Sequence, residues 1–289
     1  MRVLRTAAVG AAVIIAATVL AWSQILGAAG AASDWVDIKV GEATVARVRL
    51  VANAAIAANA PALAGVEIVL ADGWKTYWRT PGDAGVPPTF DWVGSANVGA
   101  IKERYPAPVR MSEAGGEVIA YKGTVLFPIE VMPKERGKPV SLKLALEFGV
   151  CRDICVPANA KLSVDILPGR AGAIPREIAT ALDRVPRPQQ GRRKGDPELK
   201  RVTVDRDGPT PRLMIEAVFA GAGNGADVFV EAPEGIYIPL PKRLSRDAGG
   251  IVRYAADLAP DSVRDLRGKT LTLTLVSEAG ASEAQWTFP

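Results

Sequence analysis

Two runs of alternating side chains constrain this chain more than any other feature. Leu142, Leu144, Leu146 and Phe148 are interleaved with Lys143, Ala145 and Glu147; Leu162, Val164 and Ile166 are interleaved with Lys161, Ser163 and Asp165. Period-two alternation is the mark of a strand with one buried and one wetted face. The two runs predict an antiparallel hairpin, its loop formed by Phe148-Gly-Val-Cys151-Arg-Asp-Ile-Cys155-Val-Pro157. Residues 45–51, 66–70, 74–78 and 125–131 read as further strands. They are separated by Asp72-Gly73, Pro81-Gly82, Pro87-Pro88, Gly115-Gly116 and Pro133. Many short strands without a long helix predict an antiparallel sandwich of immunoglobulin type.

The pattern breaks at Pro168-Gly169. Ile174, Ile178, Leu182 and Val185 recur at helical spacing, with Pro175 suited to a helix start and Pro186 to its stop. Residues 187–197 then read as a basic, Pro/Gly-rich linker. Within it Arg192-Arg193-Lys194 reads as a solvated stretch rather than a docking patch. Strands resume at 202–205, 213–220, 227–231, 251–255, 270–276 and 285–288, with no convincing repeat of the first half. The predicted architecture is all-β: two immunoglobulin-like antiparallel sandwiches, 33–168 and a smaller 201–289, joined across 169–200 by the short helix and the linker.

Residues 1–32 read as a secretory signal peptide. Arg2 and Arg5 precede an uncharged apolar run from Ala7 to Trp22, and Ala29-Gly30-Ala31 is among the small-residue cleavage options. The alternative is an uncleaved N-terminal anchor; either way the remainder is exported. Removing the segment takes two arginines and no acid, which halves the formal charge of +4. The basic excess therefore gives no argument for nucleic-acid binding. No later run is long and apolar enough to span a bilayer. The expected compartment is a bacterial periplasm, where disulfides persist.

Among 289 residues there is no histidine and there are two cysteines. This excludes histidine-based nucleophile pairs, histidine-ligated zinc and haem, and a four-cysteine metal site. No cofactor or resident metal is expected. What is left is Cys151 and Cys155. Four residues of extended strand would hold them about 13 Å apart, whereas a disulfide needs Cα atoms within about 4.4–6.8 Å, so a bridge requires a turn between them. Such a bridge closes a tiny loop and stabilises little. A local, exposed bridge on a hairpin tip suits exchange. The spacing leaves two other readings open: a local clamp in a secreted domain, and a dithiol site for Cu(I), whose preference is for soft sulfur ligands.

At these residues the sequence resembles the N-terminal periplasmic domain of the disulfide reductases DsbD and ScsB. Three ordered blocks carry the resemblance: Gly73-Trp-Lys-Thr-Tyr-Trp-Arg-Thr-Pro-Gly-Asp-Ala-Gly-Val-Pro-Pro88; Tyr105-Pro-Ala-Pro108 with Tyr121-Lys-Gly-Thr-Val-Leu-Phe-Pro128; and Cys151-Arg-Asp-Ile-Cys155-Val-Pro157. The resemblance implies an immunoglobulin-like domain whose cysteines relay electrons by thiol–disulfide exchange. A membrane donor reduces the pair, which then reduces periplasmic thioredoxin-fold proteins such as disulfide isomerases or cytochrome c maturation thioredoxins. It further implies that Cys155 attacks and Cys151 resolves. The two-sandwich layout is more like ScsB. With the family's membrane and thioredoxin domains missing from this sequence, the expected donor is a separate membrane protein. The family's cap loop falls on Met111, Ser112, Glu113 and Ala114; it has no aromatic residue here, and Met111 is the candidate cover. Trp74 and Trp78 are expected in the core, and Asp83 is expected to hold a turn.

Overall fold

The alternation of residues 142–166 becomes an unbroken antiparallel pair running from Val140↔Ile166 to Cys151↔Cys155. The computed structural model describes residues 30–57, 60–113, 116–170, 173–221, 225–233 and 236–289. The strands of the first half are β1 (Ala31–Ala32), β2 (Val36–Val40), β3 (Ala43–Ala52), β4 (Ala55–Ile56), β5 (Ala62–Leu70), β6 (Lys75–Gly82) and β7 (Thr89–Asp91). They continue as β8 (Val98–Glu103), β9 (Val109–Glu113), β10 (Gly116–Lys122), β11 (Thr124–Pro133), β12 (Val140–Cys151) and β13 (Cys155–Pro168). Helix α1 (Arg176–Asp183) follows. The second half holds β14 (Arg187–Pro188), β15 (Glu198–Asp205), β16 (Arg212–Val218), β17 (Asp227–Glu231), β18 (Lys242–Arg246), β19 (Ile251–Asp257), helix α2 (Pro260–Leu266), β20 (Thr270–Ser277) and β21 (Gly280–Thr287).

The first sandwich packs a sheet of order β1-β3-β5-β11-β8, with β2 on β3, against a sheet of order β4-β13-β12-β6-β10-β9, with β7 on β12. The inward-facing residues build one core: Val48, Leu50, Val66, Ile68, Phe127 and Ile129 from one sheet, Leu142, Leu144, Leu146, Phe148, Trp78 and Tyr121 from the other. The second sandwich packs β14-β21-β20-β17 on β15-β16-β19-β18, around Leu213, Ile215, Val228, Tyr254, Leu271, Leu273 and Phe288. The chain is thus all-β with two immunoglobulin-like sandwiches, as the alternation predicts.

Three features depart from the sequence reading. The stretch taken for a solvated linker is packed: β14 pairs in parallel with β21, and Arg187 holds the buried Asp196 at 3.0 Å. The basic run is also engaged, with Arg192 on Glu198 and Arg193 on Asp183. β18 is exposed along its whole length, so it carries no alternation to read. α2 is a single short element opened by Pro260, too brief for a helical period to stand out. The predicted signal segment lies outside the described residues up to residue 29. Its last two residues form β1, pairing with Ala52 and Val51. Among the described residues no helix is long and apolar enough to cross a membrane.

The two sandwiches share buried surface. Phe229, Leu240, Val276 and Ala281 of the second half belong to the core of the first, and Trp78 meets Phe229 with ring centroids 5.6 Å apart. The contact runs along β6, the strand that also reaches the cysteines.

Candidate functional site

Cys151 ends β12 and Cys155 begins β13; they are directly opposed, disulfide-bonded, with Cα atoms 4.1 Å apart. Arg152, Asp153 and Ile154 form the exposed turn between them. The bridge was expected to be exposed as a whole, and that holds for one sulfur only. Cys151 is 1% exposed, whereas Cys155 is exposed. Topology explains the difference. Cys151 is flanked on its other side by Lys75 of β6, while among the described residues the far side of β13 is paired only at its opposite end, by β4 at Leu167 and Pro168.

The buried sulfur sits in a small apolar cluster of Tyr77, Val118, Ala120 and Cys151, with Met111 packed against it. Tyr77 reaches both cysteines. Its ring packs in that cluster, and its hydroxyl lies 3.3 Å from Cys155 Sγ. Burial, and to a lesser degree the nearby Glu113 carboxylate, raise the Tyr77 pKa; the hydroxyl keeps its proton and donates to the sulfur. Space for the ring comes from Gly85, at φ +120°, where a Cβ would fall 2.3 Å from a Tyr77 ring carbon. At the turn, Arg152 is paired with Asp153 at 3.0 Å and lies over the Trp74 ring at 5.4 Å.

The stretch matching the cap loop is a strand, not a loop. Met111, Ser112 and Glu113 lie in β9 and pair with Val118, Glu117 and Gly116 of β10; Ala114 lies outside the described residues. This hairpin joins the cysteine-bearing sheet through β10–β6, with a register shift between Val118 and Ala120. Extended pairing is favoured because Val118 and Ala120 bury against Tyr77 and Cys151. Met111 packs against the cluster that holds Cys151. Glu113 reaches the buried Lys75 with an Oε1–Nζ distance of 2.5 Å, and Lys75 Nζ also donates to the Arg152 carbonyl at 3.4 Å.

Asp83 holds more than its own turn. Its Oδ2 accepts the Glu117 N–H at 2.8 Å, and its Oδ1 accepts the Tyr237 hydroxyl of the second sandwich. Trp74 and Trp78 are in the core, as alternation along the strand implies. Lys75 and Tyr77 are the site residues that sequence reasoning did not assign. The available signal was the same alternation, which sets both on the face opposite Trp78.

The family model described as thiol:disulfide interchange protein DsbD, N-terminal, matches residues 46–166. Among solved structures, the N-terminal periplasmic domain of ScsB from Proteus mirabilis superposes with a TM-score of 0.69 at 22% identity, over 90% of this chain and 98% of that one. At that identity the likeness speaks for the fold, and it spans both sandwiches. No curated protein sequence matches the chain.

Proposed function

We propose that the cysteine-bearing sandwich, a DsbD N-terminal-like domain, is a periplasmic thiol–disulfide exchange module that relays electrons between a separate membrane donor and thioredoxin-fold partners. The observation that carries this reading is the asymmetry of the bridge: an exposed Cys155 joined to a buried Cys151. A donor thiolate approaching from solvent meets Cys155 first. A bond forms between the donor sulfur and Cys155 Sγ, the Cys151–Cys155 bond breaks, and Cys151 takes the electron pair. The donor's second thiolate then attacks the donor sulfur of this mixed disulfide and expels the Cys155 thiolate, leaving donor disulfide and a reduced pair here. In the forward relay the Cys155 thiolate attacks a partner disulfide, and Cys151 resolves the mixed disulfide. Every intermolecular bond passes through Cys155.

A purely structural clamp is the weaker reading. The two cysteines are four positions apart, so the bridge closes a very short loop and removes little entropy from the unfolded chain. The test is trapping. Cys151→Ala, which leaves the attacking sulfur, is expected to accumulate mixed disulfides with periplasmic thioredoxin-fold proteins, and Cys155→Ala is not. A redox titration is expected to give a potential above about −300 mV, the range of labile pairs. A lower potential together with no trapped partner would leave only the clamp.

A further inference from the structure

Opening the bridge at Cys155 places a negative charge on a sulfur that is 1% exposed and ringed by Tyr77, Val118, Ala120 and Met111. Apolar burial raises a thiol's pKa, and a sulfur with a high pKa leaves slowly. The relay therefore needs a cation at Cys151. Arg152 does not supply it, since it is turned to Asp153 and Trp74 at the solvent edge.

Resting on the exchange reading above, we propose that Lys75 is the charge partner of the Cys151 sulfur, held in the disulfide state by Glu113 of the β9–β10 hairpin. Three observations converge on it. Lys75 is directly opposite Cys151 across β6 and β12, and opposed residues of an antiparallel pair project to the same face. It is 7% exposed, and lysines are almost never so buried unless paired, so a charge opposite Lys75 is strongly felt. Among the described residues its acceptors are Glu113 and the carbonyl of Arg152, the residue that follows Cys151; an ammonium has three donors. The nearest other titratable groups on this face are Tyr77 and the exposed Lys122, which is opposite Lys75 on β10; Glu147 of β12 and Lys161 of β13 lie further along it. In the bridged state Glu113 neutralises the ammonium. When the bond opens, the Cys151 thiolate becomes a second anion beside it, and Lys75 stabilises the leaving sulfur. The carboxylate of the hairpin thereby sets how much of that charge the sulfur receives.

The test uses a small dithiol, dithiothreitol, so that it does not depend on any protein partner. Lys75→Met is expected to slow reduction of the bridge about tenfold and to raise the Cys151 thiol pKa, read by thiolate absorbance in a Cys155→Ser background, by about one unit. Lys75→Arg, which keeps the charge, is expected to recover most of both. Glu113→Gln, which frees the ammonium, is expected to speed reduction and lower that pKa, and it carries the test if Lys75→Met does not fold. Unchanged rate and pKa in Lys75→Met, or slower reduction in Glu113→Gln, would overturn the role of Lys75. Neither result would touch the trapping experiment, on which the exchange reading itself stands or falls.

Discussion

At the scale of single residues, Tyr77 has the widest reach in the site. Its ring covers Cys151 and its hydroxyl addresses Cys155, so one side chain senses both sulfurs of the bridge. Tyr77→Phe keeps the ring and removes the donor. Because the lost contact is a single hydrogen bond, worth about 1 kcal/mol, stability is expected to fall by no more than that. The Cys155 thiol pKa is expected to rise by somewhat under one unit, measured by the pH dependence of alkylation in a Cys151→Ala background. An unchanged pKa would make Tyr77 a packing residue alone. The cysteines themselves were legible in the sequence, because two thiols in a chain without histidine leave little other chemistry. Tyr77 was not. Alternation places it on the face opposite Trp78, but its neighbour on that face depends on the β6–β12 register, which joins residues some 75 positions apart. No local pattern encodes that pairing.

At the scale of elements, the β9–β10 hairpin is tied at three points. Lys75 binds its tip through Glu113. Arg110 of β9 bridges Glu117 of β10 to Asp227 of the second sandwich. Asp83 joins the start of β10 to Tyr237. The Tyr237 hydroxyl and the Glu117 N–H both stabilise the Asp83 carboxylate, which holds its pKa below the ordinary value. A depressed carboxyl contributes stability above its unfolded pKa, about 3.9, and loses it as pH falls through the lower folded value. The stability gap between the native chain and Asp83→Asn is therefore expected to be constant from pH 7 to about 5 and to close in stronger acid. Denaturant midpoints measured down the pH series check this; a gap that stays open at low pH would show that the charge of Asp83 is not what holds the hairpin. The hairpin was only half legible. Met111 was placed near the sulfur, but without an aromatic residue and with two glycines at 115 and 116 the stretch reads as a loop. The pairing that makes it a strand comes from β10, which is itself paired to β6. The linker misled for the opposite reason: its Arg, Pro and Gly content signals solvent, while Arg187 is held by Asp196 within the same stretch and the partners Ser282 and Glu283 lie in β21.

At the scale of the whole molecule, β6 joins the site to the second sandwich. One end presents Lys75 and Tyr77 to the cysteines; the other presents Trp78, Arg79 and Thr80 to β17 and β21. Arg79 donates two hydrogen bonds to Glu231, at 2.8 and 2.6 Å, and a third to Glu283 at 2.7 Å, and Thr80 adds another to Glu231. Burial opposes the Arg79 charge, but the bonds to Glu231 and Glu283 more than reverse this, so the guanidinium stays ionised with its pKa raised. Glu231 is thus the hub of the contact between the sandwiches, with a side chain 15% exposed. Removing one member of a fully buried pair costs roughly 3–5 kcal/mol. Arg79 is 30% exposed and keeps Glu283, so Glu231→Ala is expected to cost about 2 kcal/mol. The shared core of Trp78 and Phe229 implies that this cost falls on both halves at once. In the native chain, amides of β12 and β20 are expected to exchange through one global opening with a common free energy. In Glu231→Ala that common value should split, with β20 opening more readily than β12, because the second sandwich has the smaller core and loses its strongest tie to the first. Hydrogen exchange followed by mass spectrometry distinguishes the cases. Equal losses in both strands would mean that the apolar contact alone keeps the sandwiches cooperative. A split in the native chain would mean that they are independent bodies and that the second does not brace the cysteine-bearing sheet.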